Sequence, residues 1–547
     1  MSRIFGGNER MNLRPRGWRP YHAATGVLAI AAGLGASELA AALVPGARSL
    51  VIGVGDAVID LVPAPVERAA IDLLGTADKP FLLANILVIS AVVGAVLGIV
   101  AARRPAVALA GIALLTVLGI AGELTDPRSE AGGVVVVGLV YGIAAAAALL
   151  GLRAILVRGA RTSAESVTIS RADGPVARPA PEPGDPTTVA VGNRRSFLKA
   201  AVVLSFSAGL AGLSGQFLAG RQRVEQLRSL VRLPKAARAA AAVPAGASLP
   251  VDGVSRLFTP NKAFYRIDTA LSVPNVDPQD WQLSVKGMVK RPFSLSYDEL
   301  MDMPQVQADV TLACVSNVVG GELVGNARWQ GVLLRDLLDR AGVRGGSTQL
   351  IGRSVDGFTA GFPVSVAMNR ENAMVAVGMN GEPLPLAHGF PARLVIPGLY
   401  GYVSATKWLS SIELTTWEAA SGYWIPRGWS REAPIKTQSR IDVPKRGVKV
   451  AAGTRPIAGV AWAPTRGIEQ VEVRVDDGPW EQAELADAIN DECWRQWKHG
   501  WNATPGNHTI TVRATDGDGR TQTAKRQDVL PNGATGHHTV LVEVQAA

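Results

Sequence analysis

Cys314 is one of only two cysteines in 547 residues. It ends the strand-like run "VTLAC" and opens a loop, "VSNVVGGELVGN", that carries Gly320, Gly321 and Gly325. Three chemistries stand open for a thiol in this setting. Between Ala313 and Val315 it can be a small buried hydrophobe. In an oxidising compartment it can pair with Cys493, the one disulfide two cysteines allow. As a thiolate it can bind a metal. Zinc lacks the ligands, because the chain has no CxxC, and the histidines beyond residue 220 (His388, His499, His508, His537 and His538) form no ligand motif. A cofactor that brings its own sulfur ligands needs only one thiolate from the protein.

The elements around Cys314 read as a soluble, mixed region from about Asn261. "DWQLSVKGMV" and "VTLAC" are strand-like, and "LLRDLLDRAG" is an amphipathic helix stopped by Gly342. After Arg440 the texture changes to short alternating segments. "EQVEVRV" puts Val471, Val473 and Val475 on one face before the turn at Asp477-Gly478, and "NHTITVRATDGDG" repeats the pattern with Ile510, Val512 and Ala514. With "HHTVLVEV" at the end, the pattern predicts an all-β sandwich.

The first 220 residues are of another kind. Hydrophobic residues make up 48% of the chain and mean hydropathy is +0.18, and the excess is concentrated here. Phe81–Ala102, Pro105–Gly122, Ala131–Leu152 and Ala200–Gly220 are free of charge. Each is long enough at 1.5 Å per residue to cross a hydrocarbon layer of about 30 Å. Tyr21–Ala47 is a further candidate, interrupted by Glu38, read as a helix-end carboxylate reaching for headgroups. Arg3 to Arg19 before the first span, and Arg103-Arg104 after the second, predict a cytoplasmic N-terminus. The formal net charge of +9 then reflects membrane topology, with no nucleic-acid partner expected. Residues 1–152 are read as a four-span region and 153–193 as a cytoplasmic Pro-rich linker. "NRRSFLKAAVVLSFSAGLAGLSGQFLAG" follows. Arg194-Arg195, Phe197-Leu198-Lys199 and a Gly/Ala-rich apolar run resemble a twin-arginine export signal at 194–220, an address for proteins exported already folded. A basic connector, 221–260, runs against that placement, since exported flanks are seldom so rich in arginine. Only His22 lies within the spans, so no haem is expected there.

The markers from residue 261 onward occur in a known order. "FYRID" (Phe264–Asp268), "TLAC" (Thr311–Cys314), "GNARWQGVLLRDLL" and "HGFPARLVIPGLYGYVSATKWL" (His388–Leu409) resemble segments of the sulfite oxidase superfamily of molybdenum-cofactor oxidoreductases. The resemblance implies an α+β molybdenum-cofactor domain over 261–440 and an immunoglobulin-like dimerisation-type domain over 441–547. The whole is a multi-domain chain with transmembrane α-helices at its N-terminus. It implies molybdenum-molybdopterin as cofactor, with pterin dithiolene giving two sulfurs and Cys314 a third. Phe264, Tyr265, Arg266, Ser354, His388, Arg393, Ser404 and Lys407 are the implied cofactor-binding residues. Arginine grips phosphate in bidentate fashion, while lysine offers a point charge. Arg266 and Tyr423, in "ASGYWIPRGW", are the implied catalytic companions of Cys314; for Tyr423 a packed aromatic beside Trp424 is the other reading.

One departure bears on substrate. Sulfite-oxidising members follow the ligand cysteine with an arginine-bearing segment, whereas here Val315, Val318 and Val319 are expected to line the pocket. The implied activity is oxygen-atom transfer on a small S- or N-oxide, or a sulfite-like compound, on the outer face of the plasma membrane. Electrons would pass to a separate cytochrome or quinone-linked partner, and the C-terminal domain would serve a homodimer. The competing reading is a membrane-tethered, non-enzymatic binding protein with a degenerate cofactor fold.

Overall fold

The computed structural model describes residues 19–44, 47–63, 77–127, 129–169 and 221–546, with residues 66, 69–70, 73–74, 199 and 202. The chain divides into two units, Met1–Gln222 and Arg223–Ala547. Arg194-Arg195 and nearly all of the fifth candidate span lie outside the described residues.

In the first unit four helices are long and apolar enough to cross a membrane: Pro20–Leu43, Asp78–Ala101, Pro105–Glu123 and Ala131–Val157. The last three follow the charge-free runs closely, and no proline interrupts any of these runs past its first turn. The first two meet backbone to backbone through glycine, since a Cβ on Gly26 would lie 1.8 Å from the Gly94 carbonyl oxygen. Glu38 accepts a hydrogen bond from Ser49 Oγ. The last helix continues to Ile169, past the expected boundary at 152. The first part of the region read as a linker is thus helical, as its Leu, Arg and Ala content and the absence of proline before Pro175 favour. A short helix, Leu50–Leu61, was not anticipated; Ser49 caps it by accepting from Ile52 N.

The second unit is built from four β-sheets. One joins, in order, Val306–Ala313, Val324–Leu333, Met374–Met379 and Glu382–Pro383, with Arg393–Val395 also on the Met374–Met379 strand. The second joins Phe293–Ser296, Gln282–Gly287, Leu409–Thr415, Gln349–Ser354 and Thr359–Pro363. Both feed one core, in which Trp329, Phe362, Phe390 and Leu394 are fully buried. The Leu334–Ala341 helix packs Leu334, Leu337 and Leu338 inward and ends on Gly342 at φ 68°, a left-handed position that suits glycine.

The all-β C-terminal part holds two facing sheets with their own core, including Val471, Val473, Ile510, Val512 and Ala514 on the expected faces. Its first strand is Gln438–Val443, so the change of sheet comes slightly before the expected boundary at 440. The connector does not hang free. Arg228 pairs with Glu225 and Glu382, and Arg238 with Glu371, so part of the basic flank is engaged by the folded unit.

Candidate active site

Ends of strands from both sheets converge on one cleft, with about 740 Å³ of space free of protein atoms including its open mouth. Cys314 follows directly on the Val306–Ala313 strand, and Ser354 ends the Gln349–Ser354 strand. Arg393 begins a third strand, and Lys407 stands just before the Leu409–Thr415 strand. His388 comes from a one-turn 3₁₀ helix, Leu386–His388. All five line the cleft, with Phe264 and Tyr265. Seven of the ten expected residues are thereby brought together from segments far apart in sequence.

Gly389 makes the convergence sterically feasible. It has φ 109°, and a Cβ there would stand 3.1 Å from Arg393 Cβ and from Lys407 Cα and Cβ. Any side chain would press on the bases of both cationic side chains and is strained at that φ. The next strained position is Trp408 at φ 49°, unusual for a bulky residue and held by its indole donating to Leu386 O at 2.8 Å.

Electrostatically, the cleft concentrates buried positive charge. Arg393 is 5% exposed, and its Nη1 donates to His388 O at 3.2 Å while its guanidinium lies 5.0 Å from the Trp329 ring centre. Among the described residues no carboxylate pairs with it. Burial pushes its pKa down from 12.5 to about 10. Lys407 is pushed down to about 8, first by burial, with Asp268 opposing the fall through a 2.6 Å contact to Nζ. His388 is held neutral, its pKa lowered to about 4 mainly by burial, and its Nε2 lies 2.8 Å from Asn261 O. That carbonyl can only accept, so Nε2 carries the proton. Burial raises the Cys314 thiol, so a thiolate there requires a strong local cation such as a metal. Tyr265 is also shifted upward, by burial first and Cys314 second, so its hydroxyl keeps its proton.

Three expected site residues stand elsewhere. Arg266 is outside the lining, its Nε donating to Asp268 at 2.8 Å. Ser404 is fully buried and its Oγ donates to Tyr400 O at 3.0 Å, a bond inside its own short helix. Tyr423 packs against Trp424 and under the Arg427 guanidinium at 3.7 Å, and it is Trp424 that reaches the cleft. The valines expected beside Cys314 do not line it either. Val315 is in the core and Val318 is 55% exposed, because the chain turns directly after Cys314, with Asn317 N donating to Cys314 O at 3.1 Å. Cys314 and Cys493 are both free, so the disulfide alternative falls.

Sequence reasoning missed Asp268, Asp356, Tyr402, Trp408 and Trp424 in the lining. The signal for Asp268 lay in "FYRID", an acid two positions from Arg266, yet only the folded chain makes it the shared partner of Arg266 and Lys407.

Residues 270–424 match the family described as "Oxidoreductase molybdopterin binding domain". The mitochondrial sulfite oxidase of Mus musculus is 32% identical over 289 residues, 44% of this chain and 52% of that one. An uncharacterized oxidoreductase of Bacillus subtilis (strain 168), YuiH, is 35% identical over 153 residues, 28% of this chain and 74% of its own. Among solved structures, the sulfane dehydrogenase SoxCD from Paracoccus pantotrophus aligns at 21% identity and a TM-score of 0.47, covering 59% of this chain and 92% of that one. The chain spans about half the length of the sulfite oxidases it matches.

Proposed function

Because the chain belongs to the sulfite oxidase family of molybdopterin oxidoreductases, we propose that it is a membrane-bound enzyme that transfers an oxygen atom to or from a small neutral sulfur or nitrogen compound. The observation that carries this reading is the convergence of Cys314 with buried, acid-free Arg393, with Lys407 and with neutral His388 on one cleft.

The residues fit the cofactor. An unpaired buried cation is costly, and an anionic phosphate relieves that cost. Arg393 and Lys407 would hold the phosphate, Tyr265 would donate to a polar edge of the pterin, and His388 Nδ1, the ring nitrogen without a proton, would accept from it. Bound there, molybdopterin supplies two sulfurs and a metal able to exchange an oxygen atom and two electrons with substrate. Cys314 would contribute the protein's thiolate, stabilised by the metal against the desolvation that otherwise keeps it protonated. Phe358, Tyr402 and Trp424 give the cleft aromatic walls that exclude water; the Tyr402 hydroxyl is turned away, donating to Ser430 O at 2.6 Å.

The choice of a neutral substrate rests on charge. Arg266 is engaged by Asp268, and Asp356 adds a second carboxylate to the lining. With Arg393 and Lys407 answering a cofactor phosphate, an anion such as sulfite finds no uncommitted arginine lining the cleft beside Cys314 among the described residues. Steady-state kinetics with an artificial electron carrier test this. Turnover of S- or N-oxides with a sulfite KM at least tenfold higher is expected, since one charge-assisted hydrogen bond is worth about 1.5–3 kcal/mol. A micromolar sulfite KM with rapid turnover would overturn it. Molybdenum and pterin in stoichiometric amounts would eliminate the non-enzymatic alternative.

The four apolar helices support anchoring in the plasma membrane, and the Arg194-Arg195 segment supports an extracytoplasmic catalytic domain. Electrons would pass to a separate cytochrome or quinone-linked partner. An immunoglobulin-like reading of the C-terminal sandwich, with a homodimer through it, belongs to the same proposal.

A further inference from the structure

The loop that follows Cys314 is held both by its own hydrogen bonds and from outside its own sheet. Within the loop, Cys314 N donates to Leu323 O at 2.9 Å and Asn317 Oδ1 accepts from Leu323 N at 2.8 Å. Asn317 N also donates to Cys314 O at 3.1 Å and Gly321 N to Val318 O at 2.9 Å, and further contacts at the tip come from the C-terminal β region. Arg440 is 8% exposed and every arm of its guanidinium is used. Nη1 donates to Gly321 O at 2.8 Å, Nη2 to Ser255 Oγ at 2.7 Å, and Nε to Asp442 Oδ1 at 2.7 Å. Beside it, the His538 ring is seated on Gly320, where a Cβ would stand 2.2 Å from the ring's Cδ2. Ile441 N donates to His538 Nδ1 at 2.9 Å, which orients the ring.

The strand leading into Cys314 is gripped from the same region. Thr311 N donates to Glu492 O at 3.0 Å, and Trp494 N donates to Thr311 Oγ1 at 2.7 Å. Cys493 Sγ and Asn490 Nδ2 both reach Asp309 O at 3.1 Å. Both sides of the turn carrying the thiol are therefore anchored on residues 440–538, far away in sequence.

We infer that the C-terminal β region is a working part of the active site, with Arg440 and His538 as positioning residues that set the placement of Cys314 through Gly320 and Gly321. The inference rests on the reading of Cys314 as the metal ligand. Neither side chain lines the cleft, so each acts through the loop backbone. A donor fixed on a carbonyl restrains backbone rotation, and a ring packed on glycine blocks movement toward it; together they leave the turn one position.

The test uses the full-chain holoenzyme. Arg440→Lys keeps the charge beside Asp442 but cannot make all three bonds. Gly320→Ala drives a methyl into His538, and the double variant Gly320→Ala/His538→Ala removes that clash. Each is read for molybdenum per chain, kcat, KM and the electron paramagnetic resonance signature of the partly reduced metal. Expected for both single variants is retained molybdenum, a kcat lower by about tenfold at near-constant KM, and an altered resonance signature. The double variant relieves the clash but lacks the ring that blocks the turn, so its signature should stay altered; a return to the unaltered signature would remove His538 from the positioning role. A merely structural role would lower thermal stability and leave the signature alone. An unchanged signature in folded Arg440→Lys overturns the proposal, even if Gly320→Ala fails to fold. Cys314→Ala is the control: if it keeps the unaltered signature, the ligand assignment itself fails, which is a distinct result.

Discussion

Replacing Arg393 with methionine should make the cofactor-free protein more stable and the enzyme worse. Burial lowers the Arg393 pKa from 12.5 to about 10. At about 1.4 kcal/mol per pKa unit, that is a cost of about 3 kcal/mol for keeping the charge in the folded chain. The folded pKa is depressed, so below pH 10 the group is charged in both folded and unfolded states and the cost is present in full at neutral pH. Methionine keeps the apolar stem and fills much of the volume, while losing the bond to His388 O and the contact over Trp329. Those losses offset about 1–2 kcal/mol. A net gain of about 1–2 kcal/mol remains, a rise of a few degrees in Tm. The assay is thermal unfolding of Arg393→Met and unaltered protein made in cells that lack the pterin, alongside pterin and molybdenum content of both made in cells that supply it. Cofactor retention should fall by about tenfold to a hundredfold, the worth of one charge-assisted bond to phosphate. A variant that melts lower and still loads fully would refute the idea that Arg393 is a buried cation kept for an anion.

Cys314→Ala should abolish turnover and metal retention with a loss of about 1 kcal/mol in stability, because the side chain is small and the strand before it is held by Val324–Leu333; a loaded, active variant would remove Cys314 from the site. Cofactor binding should weaken as pH rises through about 8, where Lys407 loses its proton. In Asp268→Asn that midpoint should move to lower pH, because the carboxylate that opposes the fall is gone; equal pH profiles for binding would count against the ion pair. Replacing Arg194 and Arg195 with lysine should leave residues 250–547 inaccessible to protease added to spheroplasts; continued cleavage would reduce the motif to a positive flank.

The apolar spans, the amphipathic Leu334–Ala341 helix and the alternating strands after Arg440 were legible in the sequence because each depends on a local period of side chains. Cys314, His388, Arg393 and Lys407 were legible through motif order, since each lies in a segment whose neighbours carry the resemblance. Charge pairing was not. Asp268 neutralises Arg266 and supports Lys407 across 139 positions, a partnership set by how the irregular segment after Phe264 meets the entry to the Leu409–Thr415 strand. The displacement of Tyr423 by Trp424 turns on the path of one loop, and adjacent aromatics point to different sides whichever of them the sequence favours. The valines after Cys314 read as pocket lining because they were neighbours in sequence; the tight turn closed by Asn317 N donating to Cys314 O carries them away. Local periodicity is written residue by residue, but the placement of a buried charge or a loop tip is decided by partners that only the closed tertiary structure brings within reach.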